Sequence, residues 1–155
     1  MVEKVLQILR DVDMEPGFLE LELTESILME HSDSNINALN EFAQQGIMIS
    51  IDDFGTGYSS LSYLKRFAIH ALKIDQSFVH DIVTSSDDAA IATAIIALGN
   101  SLRLKVIAEG VETEEQLAML RNMGCHQAQG YLLGRPMPAE EFAEYVRQSV
   151  NSNSG

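Results

Sequence analysis

Two adjacent aspartates, Asp52 and Asp53, stand at the end of a short apolar segment and directly before a glycine-rich loop. Neighbouring carboxylates repel each other, and a turn or a helix cap needs only one of them. Hard divalent cations such as Mg²⁺ and Mn²⁺ prefer carboxylate oxygens as ligands. Two adjacent aspartates can each hold one ion, or one of them can bridge two ions about 3.5–4 Å apart. The pair therefore predicts a metal site for phosphoryl transfer, and a turn or cap role is the alternative.

Polar residues also stand at or near the ends of the other predicted strands, where Glu22, Lys73, Glu109 and Gln129 lie. In parallel β/α proteins, the carboxyl ends of the strands form the functional face. We therefore expect one site in which the carboxylates of Glu22, Asp52, Asp53 and Glu109 hold the metal. Lys73 would orient a water molecule or stabilise an oxyanion. The simpler alternative is that Glu22 and Lys73 are solvent-exposed strand ends.

The hydrophobic pattern predicts strands and helices that alternate along the chain. Apolar residues at helical spacing predict helices over 2–12, 34–45, 59–67, 87–102, 114–123 and 138–150. Short apolar or alternating segments predict strands over 19–24, 46–52, 71–74, 106–108 and 125–129. Asp87 or Asp88 is expected near the cap of the fourth helix, and Thr113 with Gln116 forms a predicted capping box at the fifth.

This alternation predicts an α/β protein with a parallel sheet covered by helices. A complete eight-unit barrel uses roughly 31 residues per unit. The 155 residues therefore hold about five βα units after an initial helix, which predicts a partial (β/α)₈ TIM-like barrel. A doubly wound sheet is the alternative, but the loop Gly55-Thr56-Gly57 matches neither a dinucleotide fingerprint nor a P-loop.

The composition restricts the classes of partner and compartment. The net charge of −13 argues against DNA, RNA or an anionic membrane surface as a partner, although a metal cation can mediate binding of a phosphate ligand. The single cysteine, Cys125, excludes an internal disulfide and suits a reducing compartment. No segment approaches the roughly 18 apolar residues of a membrane span. We expect a cytoplasmic domain over residues 1–150 and a disordered polar tail over 151–155.

Five motifs, in this order along the chain, resemble those of the EAL domain, a bacterial family that hydrolyses the second messenger cyclic di-GMP. They are Glu22-Leu23-Thr24-Glu25-Ser26, the stretch from Asp52 to Leu61, Leu72-Lys73-Ile74-Asp75, Ala108-Glu109-Gly110-Val111-Glu112 and Gln129-Gly130-Tyr131-Leu132. The resemblance covers essentially the whole chain, and its Asp-Asp-Phe-Gly-Thr-Gly stretch is highly specific.

The resemblance implies a modified (β/α)₈ barrel with two Mg²⁺ or Mn²⁺ ions at its mouth, and linear pGpG as the product. In this family the residues that match Glu22 and Asp52 are metal ligands. The residue that matches Asp53 serves the second ion together with Asp52.

The resemblance also implies roles for residues around the metals. Lys73 and Glu109 would position or activate the attacking water, and Glu112 and Gln129 would line the substrate site. Glu25 would steady the loop after Asp53, which in this family also takes part in dimer contacts.

The chain departs from the family pattern in its early part. It contains neither the Glu-Ala-Leu motif that names the family nor the asparagine ligand of a later strand, so two protein ligands of one metal are missing. Ala68-Ile69-His70 also stands where the family often has Pro-Ile-Asp, before the strand and away from the metals. We expect the resemblance to cover the later part of the domain, with weak or no activity for the chain alone.

Two other functions remain open: a non-catalytic cyclic di-GMP receptor or interaction module, and a different Mg²⁺-dependent barrel such as an enolase-like enzyme. In addition, five strands cannot close an eight-stranded barrel, and open edges recruit other chains. We therefore expect a homodimer or another homo-oligomer.

Overall fold

The computed structural model describes residues 1–25, 33–57, 64 and 67–152. Its helices are α1 (Val2–Asp11), α2 (Asp33–Gln44), α3 (Gln76–His80), α4 (Ser86–Leu102), α5 (Glu114–Asn122) and α6 (Ala139–Ser152). Its strands are β1 (Glu20–Thr24), β2 (Met48–Phe54), β3 (Ala71–Ile74), β4 (Lys105–Ala108) and β5 (Gln127–Ala128). A 3₁₀ turn over Pro16–Phe18 precedes β1.

The five strands form one parallel sheet in the order β1-β2-β3-β4-β5. Spatial order therefore follows chain order, as in the wall of a β/α barrel. A doubly wound sheet would instead reverse its strand order at a switch point. The predicted α/β class with five parallel strands is confirmed, and the doubly wound alternative is wrong.

The three central strands, β2, β3 and β4, are apolar along most of their length. Their fully buried side chains include Ile49, Ile51, Leu72, Ile74 and Val106. Near-continuous apolar strands are typical of parallel sheets that are covered on both faces. This packing makes the sheet a rigid support for the polar residues at its carboxyl ends.

Two strands differ from the predicted bounds. β2 begins at Met48 and extends through Phe54, so Asp53 belongs to the strand together with Asp52, which the predicted strand already contained. β5 contains only Gln127 and Ala128, because its pairing with β4 stops where β4 ends, at Ala108.

Two helix starts also differ. The hydrophobic pattern did not predict α3, which begins after Asp75, where the Asp75 carboxylate accepts a hydrogen bond from the Ser77 amide at 3.0 Å. At α4 the cap is Ser85, whose hydroxyl accepts from the Asp88 amide at 3.2 Å, and not one of the predicted aspartates.

Two predicted segments fall largely outside the described residues. Only Leu64 and Phe67 of the helix predicted over 59–67 are described, and both are buried in the core. Helix α6 includes Asn151 and Ser152 of the predicted tail, and 153–155 lie outside the described residues.

Two histidines support the sheet at its amino end, opposite the polar strand ends. The Nδ1 atom of His70 accepts a hydrogen bond from the Ile49 amide, and Nδ1 of His126 accepts one from the Val106 amide, both at 3.1 Å. Each histidine thereby replaces a backbone acceptor at the start of a strand. Within the described part of the chain, no helix combines the length and apolar character that crossing a membrane requires.

Candidate active site

A bulge in β2 explains how two adjacent aspartates serve one site. Ile51 pairs with Leu72 and Phe54 with Ile74, so β2 contains one residue more than β3 between these pairs. Asp53 has a φ of 53°, a left-handed conformation that aspartate tolerates better than most residues. In a regular strand, neighbouring side chains point to opposite faces, and a bulge changes that direction. Asp52 and Asp53 thereby both reach the carboxyl end of the sheet.

Oxygens of Asp52, Asp53 and Glu109 form a compact acidic group. One carboxylate oxygen of each lies within 4.8 Å of the other two. Asp52 and Asp53 come from the bulge of β2, and Glu109 directly follows β4. Such a set of hard oxygen ligands fits a divalent cation such as Mg²⁺ or Mn²⁺. The predicted ligand Glu22 is not part of this compact group.

Lys73 lies at the centre of the site and links three carboxylates. Its Nζ atom is 2.6 Å from Oε1 of Glu22, 2.7 Å from Oε1 of Glu109 and 3.5 Å from Oδ1 of Asp52. Lys73 is only 5% exposed, so the alternative that it is a solvent-exposed strand end is wrong. The structure thus brings together residues from β1, β2, β3 and the end of β4.

The electrostatics of this cluster fix the charge of Lys73. Burial alone would lower the pKa of Lys73, but hydrogen bonds to Glu109 and Glu22 outweigh it and raise this pKa above the ordinary lysine value. Burial raises the pKa of Glu109, as do the charges of Asp52 and Glu22, while Lys73 opposes that rise. The contacts with Glu22 and Glu109 therefore favour the charged form of Lys73, which donates hydrogen bonds, at neutral pH.

Asp75 lies beside the site, and no role was predicted for it from the sequence. It ends the Leu72–Asp75 motif, and its carboxylate accepts hydrogen bonds from both the amide and the hydroxyl of Ser77. Burial raises the pKa of Asp53, and the neighbouring charges of Asp52 and Asp75 raise it further. The position of Asp75 directly after β3 was the available signal, because Glu109 and Gln129 also directly follow a strand.

Glu25 lies beneath the loop that follows the two aspartates. It is 3% exposed, and its Oε2 atom accepts hydrogen bonds from the Gly55 amide at 3.0 Å and the Gly57 amide at 3.3 Å. A Cβ atom on Gly57 would lie 3.0 Å from Oε1 of Glu25, which leaves little room for a side chain there. Glu25 therefore contacts the loop that it was predicted to steady.

Replacement of Glu25 by alanine is expected to loosen this loop. The amides of Gly55 and Gly57 would lose their shared acceptor. Because both glycines are exposed and water can reach them, we expect a cost of about 0.5–1.5 kcal/mol. We expect faster hydrogen exchange at both amides and a lower free energy of unfolding in urea. Glu25→Gln, which keeps one acceptor oxygen, should retain most of the protection. Equal exchange rates in Glu25→Ala and the unmodified chain would contradict this prediction.

Glu112 and Gln129, the two predicted substrate-binding residues, line one cleft next to Glu109. This cleft has a volume of about 230 Å³ and is also lined by Gln76, Gly110, Gly130 and Tyr131. The Gln129 amide donates to the Ala108 carbonyl at 2.8 Å, and the Gln129 carbonyl accepts from the Val111 amide at 3.0 Å. The cleft thus adjoins the acidic group on the side of β4 and β5.

Comparison with known proteins places this site in a family. The EAL domain family model matches residues 1–136. The bifunctional diguanylate cyclase/cyclic di-GMP phosphodiesterase MucR of Pseudomonas aeruginosa is 52% identical over 146 residues, which is 94% of this chain and 21% of MucR. The chain therefore spans about a fifth of the length of this relative.

Solved structures share the fold. A MucR phosphodiesterase complex with c-di-GMP superposes with a TM-score of 0.87 and 52% identity over 91% of this chain and 57% of that one. The EAL domain of Mycobacterium smegmatis DcpA gives a TM-score of 0.89 and 38% identity over 95% and 66%. A manganese and cyclic di-GMP complex of Klebsiella pneumoniae BlrP1 gives a TM-score of 0.80 and 34% identity, and the match covers 87% of this chain and 34% of that one. The chain belongs to the EAL domain family, and its five-stranded sheet is part of a TIM-barrel-like fold.

Proposed function

We propose that this chain carries the acidic site of a metal-dependent phosphodiesterase that hydrolyses cyclic di-GMP to linear pGpG. The observation that carries the proposal is the compact group of Asp52, Asp53 and Glu109 beside the buried cation Lys73. The names of MucR and of its c-di-GMP complex support the choice of substrate.

Asp52, Asp53 and Glu109 would hold Mg²⁺ or Mn²⁺, with Glu22 as a further ligand beside them. A bound ion of this kind polarises a phosphoryl oxygen and lowers the pKa of a water molecule. The manganese complex of BlrP1 supports this choice of metal. Calorimetric titration with Mn²⁺ measures this binding directly.

Four other side-chain roles in the reaction follow from the contacts of the site. Lys73 keeps a positive charge next to the acidic group and can donate a hydrogen bond to an oxygen that gains negative charge. Glu109 can accept a proton from the attacking water, because a carboxylate is a general base of suitable strength in such a setting. The Glu112 carboxylate can accept from guanine N–H groups, and the Gln129 side-chain amide can both donate and accept.

We expect the 155-residue chain alone to bind metal weakly and to hydrolyse the substrate slowly or not at all. It corresponds to 57% of the MucR structure and 66% of the DcpA domain. Misplacement of reacting groups by about 1 Å can cost roughly 100-fold in rate. Adding the earlier strands of an EAL domain should therefore raise the rate.

Chromatographic detection of pGpG in the presence of Mn²⁺ tests the proposal. The chain, alone and extended by the earlier strands of an EAL domain, would be compared with Asp52→Asn. The control Asp87→Asn alters an exposed aspartate in the first turn of α4. We expect Asp52→Asn to abolish product and weaken Mn²⁺ binding, and Asp87→Asn to do neither. Binding of cyclic di-GMP without any product, even in the extended form, would indicate the non-catalytic receptor instead.

We also propose that the protein forms a homodimer in the bacterial cytoplasm. Among the described residues, the outer edges of β1 and β5 have no further strand beside them. Large apolar side chains are exposed near β5, including Tyr131, Leu133, Phe142 and Tyr145. Light scattering should give twice the mass of one chain. A stable monomer at high concentration would contradict the proposal.

A further inference from the structure

Gln116 is a buried polar residue outside the acidic group that makes more hydrogen bonds than a helix cap requires. It is 5% exposed and lies in the first turn of α5. Its side-chain Oε1 atom accepts a hydrogen bond from the backbone amide of Thr113 at 3.0 Å. The backbone amide of Gln116 in turn donates to the Thr113 hydroxyl at 3.2 Å, and the two bonds form the capping box. Two further bonds of the same side chain reach beyond this cap.

The first additional bond holds the backbone of Glu112. The Gln116 Oε1 atom accepts from the Glu112 amide at 2.8 Å, so one oxygen fixes two consecutive amides before the helix. The second additional bond crosses to another element, because Gln116 Nε2 donates to the His80 carbonyl at the end of α3, at 3.0 Å. The side chain therefore ties the segment 110–113 to α3.

The same segment is held closely on its other sides. A Cβ atom on Gly110 would lie 2.6 Å from Cβ of Gln76 in α3. Val111, which is fully buried, donates its amide to the Gln129 carbonyl and accepts from the Leu132 amide, both at 3.0 Å. A displacement of 110–113 would thus reach both Glu112 and Gln129, the two residues that line the cleft.

We infer that Gln116 is a positioning residue for the substrate cleft: it holds Glu112 directly and Gln129 through Val111. The inference rests on the proposed function, in which this cleft receives cyclic di-GMP. Glutamine suits these bonds because its amide group accepts through oxygen and donates through nitrogen, at a length that reaches both Glu112 and His80. Methionine has a similar length and can do neither, and an ionised glutamate can only accept.

Three variants separate positioning from helix capping. Gln116→Met removes every side-chain bond. Gln116→Glu keeps the acceptor for Glu112 and Thr113 and loses the donor to His80. Thr113→Val removes the hydroxyl half of the capping box and leaves the Gln116 side chain in place. It is therefore the matched control for a loss of helix stability alone.

The affinity for cyclic di-GMP and the affinity for Mn²⁺ should respond differently. Calorimetry is expected to show cyclic di-GMP binding that is about 10-fold weaker in Gln116→Met and about 3-fold weaker in Gln116→Glu, as expected for the loss of several or one of these bonds. Thr113→Val should bind as the unmodified chain does. Mn²⁺ affinity should stay within about twofold in all three, because Asp52 and Asp53 lie on a different strand. Glu109 is held separately, by the bond from its amide to the Ile74 carbonyl and by its ion pair with Lys73.

Hydrogen exchange of the Val111 amide provides a readout that does not depend on the ligand. This amide bonds to Gln129 and not to Gln116, so it reports transmission between them. We expect exchange about 10-fold faster in Gln116→Met and unchanged in Thr113→Val. The temperature of the measurement lies well below the thermal unfolding midpoint of either variant. If Gln116→Met does not fold, Gln116→Glu and Thr113→Val decide the question by the same readouts.

Two results would overturn the inference. One is a Val111 exchange rate that is unaltered in both Gln116 variants. The other is a change in Val111 exchange and cyclic di-GMP affinity in Thr113→Val that is as large as in Gln116→Met. An unmodified chain that binds no cyclic di-GMP, alone or extended by the earlier strands, would contradict the proposed function. In that case the Val111 exchange rates would still determine whether Gln116 holds the cleft.

Discussion

In the chain extended by the earlier strands of an EAL domain, replacement of Lys73 by methionine is expected to lower the rate of pGpG formation by at least about 100-fold, as removal of a preorganised donor does in other active sites. Methionine keeps most of the volume of the lysine stem but has no charge. Glu22, Asp52 and Glu109 would then face each other without the cation that now lies 2.6–3.5 Å from all three. Nothing else among the described residues contacts all three carboxylates.

The same variant should lose stability in a pH-dependent way. At pH 7 we expect a loss of about 2–3 kcal/mol, below the 3–5 kcal/mol typical of a broken buried ion pair, because Glu22 is half exposed. Below about pH 4 the loss should shrink, because protonated carboxylates no longer repel each other. In the unmodified chain the pKa of Lys73 is raised on folding. Its contribution is therefore complete between the pH at which its carboxylate partners ionise and the unfolded pKa of 10.5, and it is lost as pH rises through the folded value.

Urea unfolding at pH 3, 7 and 10, together with the pGpG assay, checks this prediction. The control is Lys105→Met, which makes the same replacement at an exposed lysine at the start of β4, outside the acidic site. Lys105→Met should retain activity and lose little stability. If Lys73→Met loses the same free energy of unfolding at pH 7 as at pH 3, each measured against the unmodified chain, the ion pairs do not support the fold.

Replacement of Gly130 by alanine is expected to disrupt the β5 side of the site. A Cβ atom there would lie 2.2 Å from both the nitrogen and the oxygen of Val111, and backbone atoms cannot move aside as a side chain can. The chain after β5 must shift, and the bonds from Val111 to Gln129 and Leu132 would break. We expect a loss of about 3 kcal/mol in the free energy of unfolding, at the upper end for overpacking.

Gly134→Ala is the matched control, because a Cβ atom at Gly134 would have no atom within 4 Å. Thermal unfolding should show a large decrease for Gly130→Ala and almost none for Gly134→Ala. Cyclic di-GMP binding should weaken only in Gly130→Ala, since Gln129 moves with its neighbour. If both variants unfold at the same temperature, the close contact between Gly130 and Val111 is not a constraint on the fold.

Much of the sheet was predictable because its strands have simple local causes. The apolar segments that became β2, β3 and β4 are short, bounded by turn residues and separated by helical patterns. Boundaries were less predictable, since a strand extends only as far as its partner pairs with it. β5 is therefore two residues long although the pattern favoured five.

The sequence by itself determined the family, the parallel α/β architecture and the set of acidic residues at the strand ends, because spacing and residue type are local properties. The tertiary structure decided how these residues act together. The bulge at Asp53 depends on the register between β2 and β3, and the burial of Lys73 depends on carboxylates that strands β1 and β2 and the end of β4 bring to it. The bond from Gln116 to His80 joins residues 36 positions apart. Such contacts arise only when distant segments pack, so no local pattern in the chain could indicate them.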